Sequence, residues 1–227
     1  MSEEQNDLHV REHGSLLADL EKRLLVWVAN RLPARITSDH LTLLGLGGML
    51  LAGLSYWGAR EYPPALILVV VALTLNWFGD SLDGTLARVR NQQRPRYGFY
   101  VDHIIDVVGT FFLLSGLAFS GYMNPFIALG VLILFLMVEA ELFLATHVNA
   151  VFRLSFLKVG PTELRILLAT GTLWVLYHPG VILTLAGYQL TLFDVGGLVA
   201  VIGLAVALIV STIRNTIALY RAEPIPQ

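Results

Sequence analysis

The sequence predicts an all-α integral membrane protein with six transmembrane helices, preceded by an N-terminal amphipathic juxtamembrane helix. Of its 227 residues, 56% are hydrophobic and only 14% are charged, and the mean hydropathy is +0.67. A soluble domain carries about a quarter charged residues, so this deficit indicates lipid as the solvent. In lipid, backbone N–H and C=O groups must form their hydrogen bonds within the protein. The sequence shows no alternating pattern of barrel strands, so the spans are expected to be helices.

Six apolar stretches approach the length of about 20 residues that a helix needs to cross a bilayer. They lie at Leu41–Trp57, Ala65–Arg90, Phe99–Phe119, Pro125–His147, Thr162–Tyr177 and Val195–Leu219. The sequence has no internal repeat and no low-complexity linker. Residues 41–227 are therefore predicted to form one membrane domain, and residues 1–40 a polar N-terminus with the juxtamembrane helix.

The segment Ser15–Arg31 has the periodicity of an amphipathic helix. Its apolar stripe, with three- and four-residue spacing, is Leu16, Leu17, Leu20, Leu24, Trp27 and Val28. We expect this helix to lie on the membrane surface, with packing against the bundle as the alternative. Pro33 is expected to end it.

The basic residues predict the orientation of the chain in the membrane. With six spans, all but Arg60 of the 15 Lys and Arg fall on one side, which should be cytosolic. Both termini and the loops after the second and fourth spans are then cytosolic. The acidic N-terminus lacks the basic region of a cleaved signal peptide. The net charge of −2 gives no signal for nucleic acid, and the absence of cysteine excludes disulfides and thiolate metal sites.

Four aspartates cluster around the second and third spans. A charged side chain at a helix centre costs about 2.5–3.5 kcal/mol on insertion scales, so we expect each one to have a partner or a function. Asp80 and Asp83 share one helix face, which Asn76 extends, and Asp102 and Asp106 share another. A short loop makes the two helices antiparallel neighbours, so the four carboxylates are expected to converge near the cytosolic end of the bundle.

Four unpaired carboxylates in a dry site must either take up protons or bind cations. Oxygen ligands suit Mg²⁺ or Mn²⁺, and two such ions would polarise a phosphoryl group. Gly84 and Ala87 leave room for a ligand, with close helix packing as the alternative. Arg88 can neutralise a phosphate. The positive-inside rule is sufficient reason for three other arginines, which are Arg90, Arg94 and Arg96.

This pattern resembles the signature of the CDP-alcohol phosphotransferase family, D-x2-D-G-x2-A-R-x(n)-G-x3-D-x3-D. Its fixed positions are Asp80, Asp83, Gly84, Ala87, Arg88, Gly98, Asp102 and Asp106. A juxtamembrane helix followed by six spans also resembles the core of that family, so the likeness covers nearly the whole chain. It implies a membrane enzyme of phospholipid synthesis, which transfers a substituted phosphate group from a CDP-alcohol to an acceptor hydroxyl and releases CMP.

The resemblance also implies roles for individual residues. The ligands of two Mg²⁺ or Mn²⁺ ions would be Asp80, Asp83 and Asp102, with a contribution from Asp106. Asp106 would also be the general base. The nucleotide would be bordered by Gly84, Ala87, Gly98 and, at its diphosphate, Arg88. Thr42 is a further candidate for nucleotide contact, although Asp39 and His40 depart from the family's usual entry to the first span.

The acceptor site has five candidate residues, which are Glu139, His147, Arg153, Glu163 and Arg165. A structural ion pair is the alternative for Glu139. We expect CDP-diacylglycerol as the donor, because it is the commoner one among small members of the family. Asp102-His103 and the run Gly160–Glu163 resemble the choline/ethanolamine phosphotransferase branch, so a soluble CDP-alcohol with a lipid acceptor is the alternative. The resemblance also implies a homodimer.

A divalent-cation or proton-coupled transporter is the alternative from another class, because buried aspartates also mark ion pathways. It would need carboxylates near the midplane and helices broken by Gly or Pro. Here the cluster lies toward one face, beside arginines, and the two spans that carry it contain no proline. An inactive scaffold is disfavoured because its unused charges would destabilise insertion.

Overall fold

The computed structural model describes residues 18–149, 161–179, 182–185 and 187–223, and these form mainly α-helices. The helices are α1 (Ala18–Ala29), α2 (Ser38–Ala59), α3 (Leu66–Val89), α4 (Pro95–Ser120), α5 (Pro125–Asn149), α6 (Pro161–Tyr177) and α7 (Leu192–Ala222). A 3₁₀ turn at Pro63–Ala65 precedes α3. Two short antiparallel strands, β1 (Leu183–Leu185) and β2 (Tyr188–Leu190), connect α6 to α7.

The helical membrane fold predicted from the sequence is confirmed, with the number of spans approximate. Five of the described helices are long and apolar enough to cross a membrane, and these are α2, α3, α4, α5 and α7. The predicted fifth span corresponds to α6, whose 17 residues lie at the lower limit for a spanning helix. The β-hairpin after α6 was not predicted, because its strands of three residues each are too short to show a pattern.

Helix α2 packs against both α3 and α4, and glycines allow the backbones to approach closely. A Cβ atom on Gly48 would lie 2.7 Å from the Ala72 carbonyl oxygen of α3. A Cβ atom on Gly116 of α4 would lie 1.9 Å from the carbonyl oxygen of Gly53. The motif helices α3 and α4 are therefore both held against α2.

We expect Gly116→Ala to destabilise the protein, because the added methyl group would force α2 and α4 apart. Overpacking of this kind costs about 1–3 kcal/mol, and sometimes more. The matched control is Gly130→Ala, whose Cβ atom would meet only Val201 Cγ2, at 3.5 Å. Thermal melting in detergent should show a clearly lower midpoint for Gly116→Ala than for the control. Equal midpoints would contradict the close approach of α2 and α4.

Helix α1 presents one face to the bundle and another to the outside. Leu25 and Ala29 are buried together with Leu82 and Leu86 of α3. Trp27, on the predicted membrane-facing stripe, is 55% exposed, and Leu24 is also exposed. One face of α1 therefore packs on α3, as the alternative predicted, while contact of the exposed apolar face with the membrane surface stays a prediction. The first three residues of the predicted helix, at positions 15–17, lie outside the described residues.

Arg90, at the end of α3, forms hydrogen bonds with the segment that connects α1 to α2. Its guanidinium donates to three backbone carbonyl oxygens, those of Ile36 at 2.6 Å, Leu32 at 2.9 Å and Pro33 at 3.0 Å. Arg94 forms an ion pair with Asp39. The positive-inside rule is therefore not the only reason for these two arginines, because both also make specific tertiary contacts.

Candidate functional site

The four motif aspartates line one cleft between α2, α3 and α4. Asp80 and Asp83 come from α3, and Asp102 and Asp106 come from α4. The cleft contains about 290 Å³ of space, part of it open to the outside. Its remaining walls are formed by Thr42, Gly45, Met49, Asn76 and Ile105. The structure thus brings the two acidic stripes of the sequence face to face.

Asp83 is oriented by a residue of α2. The hydroxyl of Thr42 donates to Asp83 Oδ2 at 2.7 Å. The other carboxylate oxygen of Asp83 accepts from the backbone N–H of Gly84. Thr42, a candidate for nucleotide contact, therefore lies at the cleft and holds one of its carboxylates.

Arg165 extends from α6 to Asp80, a contact that no local pattern in the sequence predicts. Its Nη2 lies 2.6 Å from Asp80 Oδ2, and its Nε donates to Asn76 Oδ1 at 2.7 Å. Asn76 is buried and in turn donates to the Gly45 carbonyl oxygen of α2 at 2.9 Å. Arg165, a candidate for the acceptor site, is therefore part of the wall beside the aspartates.

Asp106 lines the cleft, and its residue surface is exposed. It is close enough to Asp80, Asp102, Arg165 and Glu139 for their charges to act on it. Three of these four neighbours are acidic, so the surroundings of Asp106 concentrate negative charge. Such an arrangement attracts cations.

The donor chemistry of the cleft suits a hard divalent cation, but the side chains are not yet arranged around one. As they stand, the described His, Asp and Glu side chains form no group of three that could hold a metal ion. Asp80 is turned toward Arg165, and Asp83 toward Thr42. Binding of a metal would therefore require the carboxylates of the cleft to move toward a shared ion.

Gly84 and Gly98 are not explained by helix packing. Among the described residues, the atoms nearest to a Cβ atom on Gly84 would belong to the guanidinium of Arg88, whose Nη1 would lie 3.4 Å away. A Cβ atom on Gly98 would have no neighbour within 4 Å among the described residues. Arg88 donates to Thr85 Oγ1 at 3.1 Å, and Ala87 is half-buried. Space is therefore left beside the motif at both glycines.

The two glutamates of α5 have different surroundings. Glu141 accepts from Ser211 Oγ at 2.8 Å and from Asn215 Nδ2 at 2.7 Å, so it connects α5 to α7. Glu139 has one buried carboxylate oxygen, Oε2, without a hydrogen-bond partner among the described residues. We infer a structural role for Glu141. In Glu139, by contrast, Oε2 is available to accept a hydrogen bond.

Glu139 lies near His103 and Asp102 of α4, whose charges act on it. The ring of His103 is held by Phe99, with ring centroids 4.1 Å apart, and by Phe143 at 5.3 Å. The sequence did not single out His103 as a site residue, although it follows the motif aspartate Asp102 directly.

Among the described residues, the other acceptor candidates lie on different helices. His147 is exposed and lies about two turns beyond Glu139 along α5, and Glu163 lies in the first turn of α6. Arg153 lies outside the described residues. Of the five candidates, Arg165 and Glu139 approach the cleft aspartates.

The match to a known family covers the whole of this site. The model of the family described as CDP-alcohol phosphatidyltransferase matches residues 32–209, more than three quarters of the chain. No curated protein matches the chain. The matched range runs from the connection after α1 into α7 and includes all four cleft aspartates. The chain therefore belongs to the CDP-alcohol phosphatidyltransferase family of transferases, which use a CDP-alcohol and an acceptor alcohol in lipid synthesis.

Proposed function

We propose that the protein transfers the phosphatidyl group of CDP-diacylglycerol to the hydroxyl of an acceptor alcohol, with release of CMP, in a reaction that depends on Mg²⁺ or Mn²⁺. Family membership supports the class of reaction. The observation that carries the proposal is the convergence of Asp80, Asp83, Asp102 and Asp106 on one cleft. A transporter would also need acidic residues, but it would not need the family's complete signature.

The metal ligands in this proposal are Asp80, Asp83 and Asp102, with Asp106 at the edge of the group. Two divalent ions, when bound, supply positive charge that polarises the phosphoryl group and stabilises the leaving CMP. The chain's own part is to present carboxylate oxygens from two neighbouring helices. Thr42 orients Asp83 and Arg165 orients Asp80 at the cleft.

Asp106 acts as the general base in this proposal. Asp106 lines the cleft and is exposed, so an acceptor hydroxyl can reach it. The carboxylate takes the hydroxyl proton while the hydroxyl oxygen forms a bond to phosphorus. The bond between that phosphorus and the CMP oxygen breaks, and CMP leaves with the electron pair. A positioned base contributes a factor of roughly 10²–10⁴ to such a step.

The nucleotide would lie along the open side of the motif. Gly84 and Gly98 leave space there for it, and Ala87 is small enough not to close that space. Arg88 would meet the diphosphate, since a guanidinium can donate two parallel hydrogen bonds to phosphate oxygens.

A soluble CDP-alcohol with a lipid acceptor is the second candidate. Arg165, a cation near the cleft, already neutralises Asp80, which leaves less positive charge for a phosphorylated acceptor. Glu139 lies near Asp106, and its buried Oε2 has no hydrogen-bond partner among the described residues, which suits an uncharged hydroxyl that donates a hydrogen bond. These two observations favour a neutral acceptor, and the substrate experiment below separates the candidates.

The proposal also covers the orientation of the enzyme in the membrane and its oligomeric state. The distribution of Lys and Arg supports a cytosolic cleft with both termini on the same side. The homodimer rests on the family resemblance.

The test supplies purified protein in lipid nanodiscs with labelled CDP-diacylglycerol or CDP-choline and a panel of acceptors. The panel contains glycerol phosphate, inositol phosphate, inositol and diacylglycerol. We expect CMP release that requires both a donor and an acceptor, with CDP-diacylglycerol as the preferred donor. The control is the double variant Asp80→Asn, Asp83→Asn at equal concentration, which should release none.

Two results would contradict the proposal. CMP release by neither donor with any acceptor would remove the transferase function. Uptake of Mn²⁺ into sealed vesicles by the protein, without CMP release, would support the transporter instead.

A further inference from the structure

One carboxylate oxygen of α1 accepts hydrogen bonds from both α3 and α6. Glu21 Oε1 lies 2.8 Å from Trp77 Nε1, 3.3 Å from Ser81 Oγ and 2.9 Å from Thr162 Oγ1. Trp77 and Ser81 belong to α3, and Thr162 belongs to the first turn of α6. Glu21 therefore connects α1, α3 and α6 through one carboxylate oxygen.

The donors to Glu21 are sequence neighbours of the residues that hold Arg165. Trp77 follows Asn76, and Ser81 follows Asp80, so both pairs share the same two turns of α3. On α6, Thr162 precedes Arg165 by three residues, which places the two on one helix face. Glu21 and Arg165 thus join the same parts of α3 and α6 from neighbouring faces.

The other end of α6 has a different attachment. Tyr56 of α2 is fully buried, and its hydroxyl lies 2.6 Å from Thr172 Oγ1. Among the described residues, the first turn of α6 donates to Glu21 of α1 through Thr162, and α6 packs against α3. Loss of the Glu21 carboxylate would therefore remove one attachment of this end of α6 and place more of the restraint on the contacts of Arg165 with Asp80 and Asn76.

We propose that Glu21 is a positioning residue for the cleft, which keeps the guanidinium of Arg165 on Asp80 and Asn76 by holding the first turn of α6 against α3. The effect passes through Arg165, since Glu21 itself does not line the cleft. The activity readout of this inference rests on the proposed function, whereas its structural readout does not.

The activity test is a double-mutant cycle between Glu21 and Arg165, with CMP release as the measurement. Glu21→Ala should lower kcat/KM about tenfold, a size typical of coupled neighbours. Glu21→Gln keeps an acceptor oxygen and should retain most of the activity. In an Arg165→Ala background, Glu21→Ala should add less than about a twofold loss. Equal losses in both backgrounds would overturn the inference, because Glu21 would then act independently of Arg165.

The structural test uses the absence of native cysteine in the chain. Spin labels at Val71→Cys on α3 and Leu164→Cys on α6, both exposed positions, report the distance between these helices. The distance distribution should broaden in Glu21→Ala and stay narrow in Glu21→Gln. The control is Glu61→Ala, an exposed acidic residue paired with Arg60, which should leave the distribution unchanged.

The two readouts separate this inference from the proposed function. If the distance distribution broadens in Glu21→Ala while the wild type releases no CMP, the role of Glu21 is supported and the transferase proposal is overturned. If the distance distribution of Glu21→Ala equals that of the wild type and the wild type releases CMP, only the role of Glu21 is overturned. If Glu21→Ala does not fold, Thr162→Val removes one of the three donors and should broaden the distribution in the same direction, to a smaller extent.

Discussion

Asp106→Asn is expected to reduce the rate of CMP release by a factor of roughly 10²–10⁴, the contribution of a positioned general base. The substitution keeps the shape of the side chain but removes the group that accepts the acceptor's proton. Asp106 is exposed, so the replacement should leave the packing of α4 intact. Single-turnover measurements of CMP release, with saturating donor and acceptor, would give the rate of the chemical step.

Two further measurements separate a base from a metal ligand. Binding of Mn²⁺, followed by electron paramagnetic resonance, should be nearly unchanged in Asp106→Asn and clearly weaker in Asp83→Asn. The matched control is Glu141→Gln, which changes another carboxylate within the membrane. Because the hydrogen bonds of Glu141 connect α5 to α7, the rate of CMP release by Glu141→Gln should stay within about twofold of that of the wild type. Activity near that of wild type in Asp106→Asn would remove Asp106 from the role of base.

Chelation of divalent metal is expected to abolish CMP release, and Mg²⁺ or Mn²⁺ should restore it. The physical reason is the charge balance of the cleft, in which four carboxylates face one arginine at Asp80. A negatively charged CDP-alcohol would be repelled by this arrangement without added cations. The measurement is CMP release after treatment with EDTA, followed by titration with each metal.

Thermal stability provides a readout of the metal that does not depend on turnover. A ligand that binds only the folded state stabilises it by RT ln(1 + [L]/Kd), so Mn²⁺ should raise the melting midpoint of the wild type. The double variant Asp80→Asn, Asp83→Asn should show little or no rise. Full activity in the presence of EDTA would refute the metal requirement, even if Mn²⁺ stabilised the fold.

Much of the fold could be predicted because the information for each span is local. The span predicted at Pro125–His147 corresponds to α5 at Pro125–Asn149, since the apolar stretch and its preceding turn are both visible in the sequence. The end of α7 was less well predicted. It extends to Ala222 as a helix of 31 residues, because polar residues can continue a helix beyond the lipid without an apolar signal.

The candidate site could be predicted only in part. The spacing of Asp80, Asp83, Asp102 and Asp106 placed them on two helix faces, and a short loop made those helices neighbours. His103 and its proximity to Glu139 were missed, because the pairing of α4 with α5 is not encoded in either helix alone. The roles of these residues in binding and catalysis remain predictions that the experiments above address.

The sequence by itself determined the helical membrane fold, the family and the acidic pattern, because hydropathy and residue spacing act within single helices. Only the tertiary structure decided that Arg165 meets Asp80 across 85 positions of the chain, and that Glu21 joins α1 to α3 and α6. These contacts depend on how close the helices approach and at what rotation. Glycines such as Gly48 and Gly116 permit that approach, but their spacing alone does not specify which side chains will meet.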